Sequence, residues 1–228
     1  MESVTTLTTI RSISPTDHIT DLLPHLPLRR IPLQKRSRQR VIDILGTGTE
    51  LLLTHGTEGV TTSSVSEHAA IPIGSVYQFF PDRDALLLCL VELSGHSLIN
   101  QLGEVYSSSA VSLPQRCSDV VEALSVNWGQ DAIGARSWNI LLSSPTTAQA
   151  AGKLHQQAAA ALQQALHCEQ NHLVDVPQRC TLLLTTITSV FATSVFATSV
   201  FEGRAGHSPE PDSTTVVALR KWAGQLFG

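Results

Sequence analysis

Residues 60–86 read VTTSSVSEHAAIPIGSVYQFFPDRDAL, and they predict two short helices joined by a tight turn. The first helix is predicted over 62–69, where Thr61 can cap its N-terminus. No capping box is expected, because the nearest glutamate lies too far along the chain. Pro72 stands near the first position of the second helix, which we expect to end at residue 79 or 80.

A longer helix is predicted ahead of this pair, over residues 37–55. Apolar residues recur at helical spacing within it, and Gly56 ends the run. Gly46 and Gly48 each cost such a helix roughly 1 kcal/mol relative to alanine. We therefore expect another helix to approach at least one of these glycines closely.

The rest of the chain is also predicted to be helical, which makes the fold class all-α. Further helices are expected over 84–102 and near 114–130, 135–144, 146–168, 177–203 and 212–227. The predicted organisation is a mobile N-terminal extension (1–34), a three-helix helix-turn-helix domain (35–83) and a helical body (84–228). The extension is predicted to be mobile because it mixes Ser/Thr runs with four prolines and shows no periodic segment.

Composition fits a folded protein with one basic region. Of the 228 residues 42% are hydrophobic and only 15% are charged, and the formal net charge is −4. Six of the fifteen Lys and Arg residues fall between Arg29 and Arg40. Such a cluster suits a polyanionic partner at one end of the molecule, although a solvated helix start explains it equally well.

The residue identities add a resemblance to a known family. Residues 38–87 resemble the N-terminal domain of the TetR family of transcriptional regulators, with Gly74, Tyr77, Phe80 and Leu86 at the family's spacings. The resemblance implies a homodimer that binds a palindromic DNA operator and releases it when a small effector binds. A cytoplasmic location is expected from the widely separated cysteines and from the lack of a secretion signal. It also implies an effector-binding and dimerising C-terminal body. No enzymatic activity and no cofactor are expected, because the sequence contains no GxSxG, Walker loop or HExxH motif.

Nine residues are candidate DNA contacts on this resemblance: Thr62, Ser63, Ile73, Gly74, Ser75, Tyr77, Gln78, Phe79 and Arg83. Their chemistry suits the role. Gly74 allows close backbone approach to a phosphate, and Tyr77 offers a phenol to a phosphate. Gln78 can pair with adenine in the major groove, and Arg83 can hold a phosphate.

Two departures from the family pattern leave an alternative open. Ala70 stands where the family usually has glycine, and alanine disfavours the left-handed backbone often found there. Ile73 stands where a polar or basic residue often contacts DNA. The alternative is a helical, dimeric interaction or ligand-binding protein that has lost specific DNA binding.

The last two helices are the predicted dimer interface, as the resemblance implies. Residues 188–202 repeat Thr-Ser-Val-Phe-Ala, and a five-residue step turns the three phenylalanines in three directions on a helix. At least one should therefore face a partner chain. The candidate interface residues are Phe191, Phe196, Phe201, Leu219 and Trp222.

The uncharged stretch 180–201 has the length of a membrane span, but nine of its residues are Ser or Thr, so a soluble helix buried on several sides is expected.

No other motif in the sequence points to chemistry. Asn127, Trp128 and Trp138 suit either an effector pocket or the core, and the effector cannot be identified from them. No metal site is predicted, because the spacing of the candidate ligands His167, Cys168, His172 and Asp175 fits no standard zinc pattern. The four widely separated cysteines are expected to be buried thiols.

Overall fold

The computed structural model describes residues 19–20, 22–106, 112–125, 134–166, 175–202 and 213–226, and the regular structure of these residues is entirely helical. A 3₁₀ turn spans Leu23–His25. It is followed by α1 (Lys35–Gly59), α2 (Thr62–His68), α3 (Ile73–Tyr77), α4 (Arg83–Tyr106), α5 (Leu113–Ala123), α6 (Ala135–Ser143), α7 (Ala148–Ala165), α8 (Val176–Glu202) and α9 (Ser213–Leu226). The predicted all-α fold class is confirmed.

Helix α4 contacts α1 at one of the two helix glycines. A side chain on Gly48 would begin 3.5 Å from Leu90 of α4, whereas Gly46 has nothing within 4 Å. Gly56 interrupts α1 with a φ of 68°, a left-handed conformation that glycine adopts without strain. Helix α4 thus approaches Gly48 only to an ordinary van der Waals distance, and Gly56 breaks the regular helix three residues before α1 ends.

The N-terminal strap, which we define as the described residues between 19 and 34, is folded onto the protein. Ile19, Leu22, Leu23 and Leu26 are buried in the core. The prediction of a mobile extension is therefore wrong for these residues, and residues 1–18 lie outside the described part of the chain. The prediction relied on the absence of a helical period, but apolar side chains can cover a core without one.

Helix α4 forms the centre of the C-terminal body and packs most extensively against α7. Gly95 allows this, because a side chain there would begin 2.7 Å from Leu154. In the described part of the chain, residues 83–103 of α4 form the one stretch apolar and long enough to cross a membrane. Since 67% of that stretch is buried inside the protein, α4 is a core helix.

Helix α8 buries a single stripe rather than several sides. Leu183, Leu184, Ile187 and Phe191 are buried at helical spacing, whereas Leu182 is 51% exposed. The prediction of a helix buried on several sides is wrong for residues 176–191. The side chains of 192–202 lie outside the described residues.

Three of the four cysteines can be placed, and all three are buried thiols as expected: Cys89, Cys117 and Cys180. Burial raises the pKa of Cys89 to about 12, with a further contribution from the charge of Glu92. That thiol is therefore protonated and unreactive at neutral pH.

Candidate DNA-binding site

Helix α2 begins with a tight set of hydrogen bonds. Thr61 Oγ1 accepts from the amide of Ser64 at 3.0 Å, as its predicted capping role requires. Ser64 Oγ in turn accepts from the amide of Thr61 at 3.0 Å, which completes a capping box. The expectation that no capping box forms is wrong, because a serine hydroxyl reaches the position usually served by a glutamate.

The turn between α2 and α3 is left-handed despite its alanine. Ala70 adopts a φ of 52°, in the left-handed region. Ser66 supports this turn, because its hydroxyl donates to the carbonyl of Ile71 at 2.6 Å and its carbonyl accepts from the amide of Ile71 at 3.0 Å. A left-handed alanine costs about 1–2 kcal/mol, and these local hydrogen bonds stabilise the turn against that cost.

Five of the predicted DNA contacts lie at or near the surface of the helix pair. Ser63, Gly74 and Gln78 are exposed, and Ile73 and Tyr77 are 40% and 42% exposed. A side chain on Gly74 would meet nothing within 4 Å. The protein's own packing therefore does not require glycine at this position. Ser75 is half-buried beside it.

Thr62 is buried within the candidate site rather than exposed on its surface. It is 8% exposed, and its hydroxyl donates to the Tyr77 hydroxyl at 3.3 Å. The bond fixes the phenol of α3 against the start of α2. Tyr77 keeps an exposed face, and its hydroxyl can still form a further hydrogen bond.

Phe79 is not available to DNA, and this candidate contact is wrong. The side chain is only 4% exposed, and it belongs to the core that the N-terminal strap helps to close. The amide of Arg29 in the strap donates to the carbonyl of Phe79 at 2.9 Å. A phenylalanine side chain has no polar group, so it can be covered in this way at no hydrogen-bonding cost.

Arg83 is committed to the protein's own backbone. Its guanidinium donates to the carbonyls of Val60 at 3.1 Å and Thr57 at 2.8 Å, and it forms an ion pair with Glu58 at 3.1 Å. These bonds join the start of α4 to the end of α1 and to the segment that precedes α2. We therefore replace the predicted phosphate contact by a positioning role, in which Arg83 holds α1, α2 and α4 together.

The structure also revises the predicted dimer residues. Phe191 is fully buried and Leu219 is 7% exposed within a single chain, so neither is free to contact a partner. Trp222 is half-buried, and the side chains of Phe196 and Phe201 lie outside the described residues. Two large apolar side chains are instead exposed on α8 and α9, namely Leu182 at 51% and Val217 at 62%.

The interior of the C-terminal body contains a chain of polar groups. Trp138 is fully buried, and its indole N–H donates to Nδ1 of His155 at 3.4 Å. Nε2 of His155 lies 3.0 Å from the hydroxyl of Thr185, which donates to the carbonyl of Thr181 at 2.8 Å. The chain is fully satisfied only if His155 is neutral, with its proton on Nε2. Asn127 and Trp128 lie outside the described residues.

We expect this histidine to make the protein less stable in acid. Burial lowers the pKa of His155, so the unfolded chain binds a proton more readily than the folded chain. Stability is present above the unfolded value near 6.5 and falls as the pH decreases below it, by at most about 1.4 kcal/mol per pH unit. Denaturant unfolding between pH 7.5 and 5 measures this slope. His155→Gln should flatten it, whereas the exposed-site control His68→Gln should not; an unchanged slope in His155→Gln would contradict the assignment.

No metal centre emerges from the described residues. They contain no group of three or more His, Cys, Asp or Glu side chains placed to hold an ion. His167, Cys168 and His172 lie outside the described part of the chain, and Asp175 takes a left-handed turn with a φ of 63°.

Comparison with known proteins places this arrangement in a family. Residues 44–90 match the family model described as bacterial regulatory proteins of the tetR family. The chain therefore carries a TetR-type DNA-binding domain. As the resemblance implied, it is a DNA-binding transcriptional regulator. No curated protein matches the sequence significantly.

Solved structures share the fold of most of the chain at low sequence identity. Salmonella enterica GusR has a TM-score of 0.66 at 16% identity, covering 86% of this chain and 98% of its own. The fatty acid degradation regulator FadR from Bacillus halodurans has a TM-score of 0.60 at 16% identity, covering 82% and 93%. SmeT, solved with triclosan, has a TM-score of 0.56 at 15% identity, covering 83% and 91%. At these identities the likeness concerns the fold alone.

Proposed function

We propose that this TetR-family regulator is a cytoplasmic repressor that binds a palindromic operator as a homodimer and releases it when an effector binds. The observation that carries the proposal is the exposed surface formed by Ser63, Ile73, Gly74, Tyr77 and Gln78. Its open space at Gly74 and its fixed phenol at Tyr77 suit a phosphate, and the amide of Gln78 suits a base edge.

The proposed domain boundaries are those expected from the sequence, with one change. Residues 35–83 form the DNA-binding domain, and residues 84–228 form the dimerising and effector-binding body. The described residues 19–34 are assigned to the DNA-binding domain, because they complete its core.

The direct test is selection of bound duplexes from a random pool by the purified full-length chain. We expect a palindromic consensus with half-sites one helical turn apart, about 34–36 Å. The same preparation should then bind the consensus at least about 1,000-fold more tightly than unrelated duplex. Recovery of no preferred sequence would contradict the proposal.

Gly74→Ala should separate DNA binding from stability. The added methyl group has free space within the chain, and alanine favours a helix over glycine by about 1 kcal/mol. Thermal unfolding should therefore be unchanged or slightly improved. Operator affinity should fall by about 1–3 kcal/mol if the backbone at this position approaches a phosphate. Normal operator affinity in Gly74→Ala would show that nothing approaches this backbone.

An effector is proposed to act through the contact between α6 and α1. The Thr57 and Ser144 hydroxyls are 3.1 Å apart in a buried hydrogen bond, and Arg136 donates to the carbonyl of Leu53 at 3.1 Å. Movement of α6 would therefore shift α1 and change the distance between the DNA-binding surfaces of the two chains in the dimer. We propose a largely apolar small molecule bound among the C-terminal helices. SmeT, a protein of similar fold, forms a complex with triclosan.

The alternative of a regulator that has lost DNA binding has less support once the fold is known. It was motivated by Ala70 and Ile73, and Ala70 adopts the left-handed turn usually served by glycine. The exposed Ile73 can contact a thymine methyl group instead of forming a polar contact.

A further inference from the structure

The N-terminal strap forms a cleft beside the recognition helix. Its buried residues fix it to the core, and its Pro32 carbonyl accepts from Nε of Arg38 at 3.3 Å. Between the strap, the start of α1 and the end of α3 lies a cavity of about 470 Å³. Gln78 of the proposed DNA-reading surface is one of its walls.

The cleft is strongly basic. Ten residues line it, and they include Arg30, Arg36 and Arg40 but no acidic residue. Arg30 and Arg36 are exposed and Arg40 is half-buried. Three guanidinium groups around one open cavity produce a positive potential that an anion would neutralise.

These three arginines also differ from most others in having no partner among the described residues. Six arginines use their side chains within the chain, each donating to a backbone carbonyl or a side-chain oxygen: Arg38, Arg83, Arg116, Arg136, Arg179 and Arg220. The side chains of Arg30, Arg36 and Arg40 form no hydrogen bond or ion pair with any described residue, so stability of the fold does not explain them. Their donors are free for an external partner.

We propose that this arginine cleft binds the DNA backbone next to the bases approached by Gln78, which makes the strap a second DNA-contacting element. The inference rests on the proposed DNA-binding function. Guanidinium groups bind phosphate oxygens in bidentate pairs, and a cleft walled by Gln78 places them beside the same duplex. Phosphate contacts carry no sequence information, so they contribute affinity rather than specificity.

The test compares the wild type with the triple variant Arg30→Ala/Arg36→Ala/Arg40→Ala on the selected operator between about 50 and 300 mM salt. We expect the triple variant to bind at least about 10-fold more weakly at low salt, with a similar weakening on unrelated duplex. The slope of log affinity against log salt should become shallower by about 1 for each phosphate that the variant no longer neutralises. Its melting temperature should stay unchanged, because the three side chains have no internal partners.

Two control variants test whether the effect depends on the position and the charge of the three arginines. Lys153→Ala/Lys221→Ala removes charge from α7 and α9 and should leave affinity and salt slope unchanged. Arg30→Lys/Arg36→Lys/Arg40→Lys keeps the charge and should retain most of the slope while binding somewhat more weakly. Truncation of the strap is not a suitable variant, because it would uncover the core that Ile19, Leu22, Leu23 and Leu26 help to form.

The outcomes separate this inference from the function on which it rests. If the wild type binds its operator and the triple variant matches it in affinity and slope, the cleft inference is wrong and the function stands. If the wild type prefers no duplex, both are wrong. If the triple variant keeps operator affinity but no longer binds inorganic phosphate in calorimetry, the cleft serves a free phosphorylated ligand and the inference is overturned.

Discussion

Phe79→Ala is expected to destabilise the protein by about 3–5 kcal/mol, the usual cost of removing a buried phenylalanine. The side chain is 4% exposed and packs within the core beneath the N-terminal strap. The variant leaves a cavity in the core and removes the apolar surface that the strap covers. Denaturant unfolding of the full-length chain, followed by circular dichroism, measures the change in stability.

Tyr77→Ala is the matched control, since it removes a large aromatic side chain two residues away. Tyr77 is 42% exposed, so its removal should cost much less stability and should act chiefly on operator affinity. If Phe79→Ala instead unfolds like the wild type but fails to bind DNA, the buried placement of Phe79 is wrong. The prediction of Phe79 as a DNA contact would then be restored.

Local patterns in the sequence predicted the architecture well. Helix starts and stops were signalled by residues whose effect is local, such as Thr61 as a cap and Gly56 as a stop. All-helical structure followed from periodicity, which depends only on neighbours within a few turns. Ala70 was harder to interpret, because its left-handed turn depends on the hydrogen bonds of Ser66 and not on its own preference.

The roles of individual site residues were less predictable, because they depend on distant contacts. Arg83 and Phe79 belong to one motif, yet one pairs with carbonyls more than twenty residues away and the other is covered by the strap. The strap itself has no periodicity, although its buried leucines show that periodicity is not needed to cover a core. The arginine cleft was visible in sequence only as a charge cluster, and the shape of the cavity required the fold.

The double variant Leu182→Asp/Val217→Asp is expected to convert a dimer into a monomer and to weaken operator binding by at least about 100-fold. Leu182 and Val217 are exposed apolar side chains on α8 and α9, the two helices proposed to pair with those of a partner chain. In a twofold-symmetric interface each substitution occurs twice, so four carboxylates would be buried without partners. Two linked half-site contacts gain about 100- to 10,000-fold in affinity over one, and the monomer forgoes this gain.

Leu88→Asp tests whether the effect belongs to this surface. Leu88 is likewise apolar and 39% exposed, but it lies on α4, outside the proposed interface. Sedimentation at micromolar concentration should therefore show a dimer for the wild type and Leu88→Asp, and a monomer for the double variant with unchanged helix content. A dimeric double variant would move the interface elsewhere on the chain, and a monomeric wild type would remove the dimer from the proposed mechanism. The substitutions lie far in sequence from α2 and α3. A monomer that no longer binds the operator would therefore show that the affinity depends on pairing of the two chains and not on the DNA-binding surface of one chain alone.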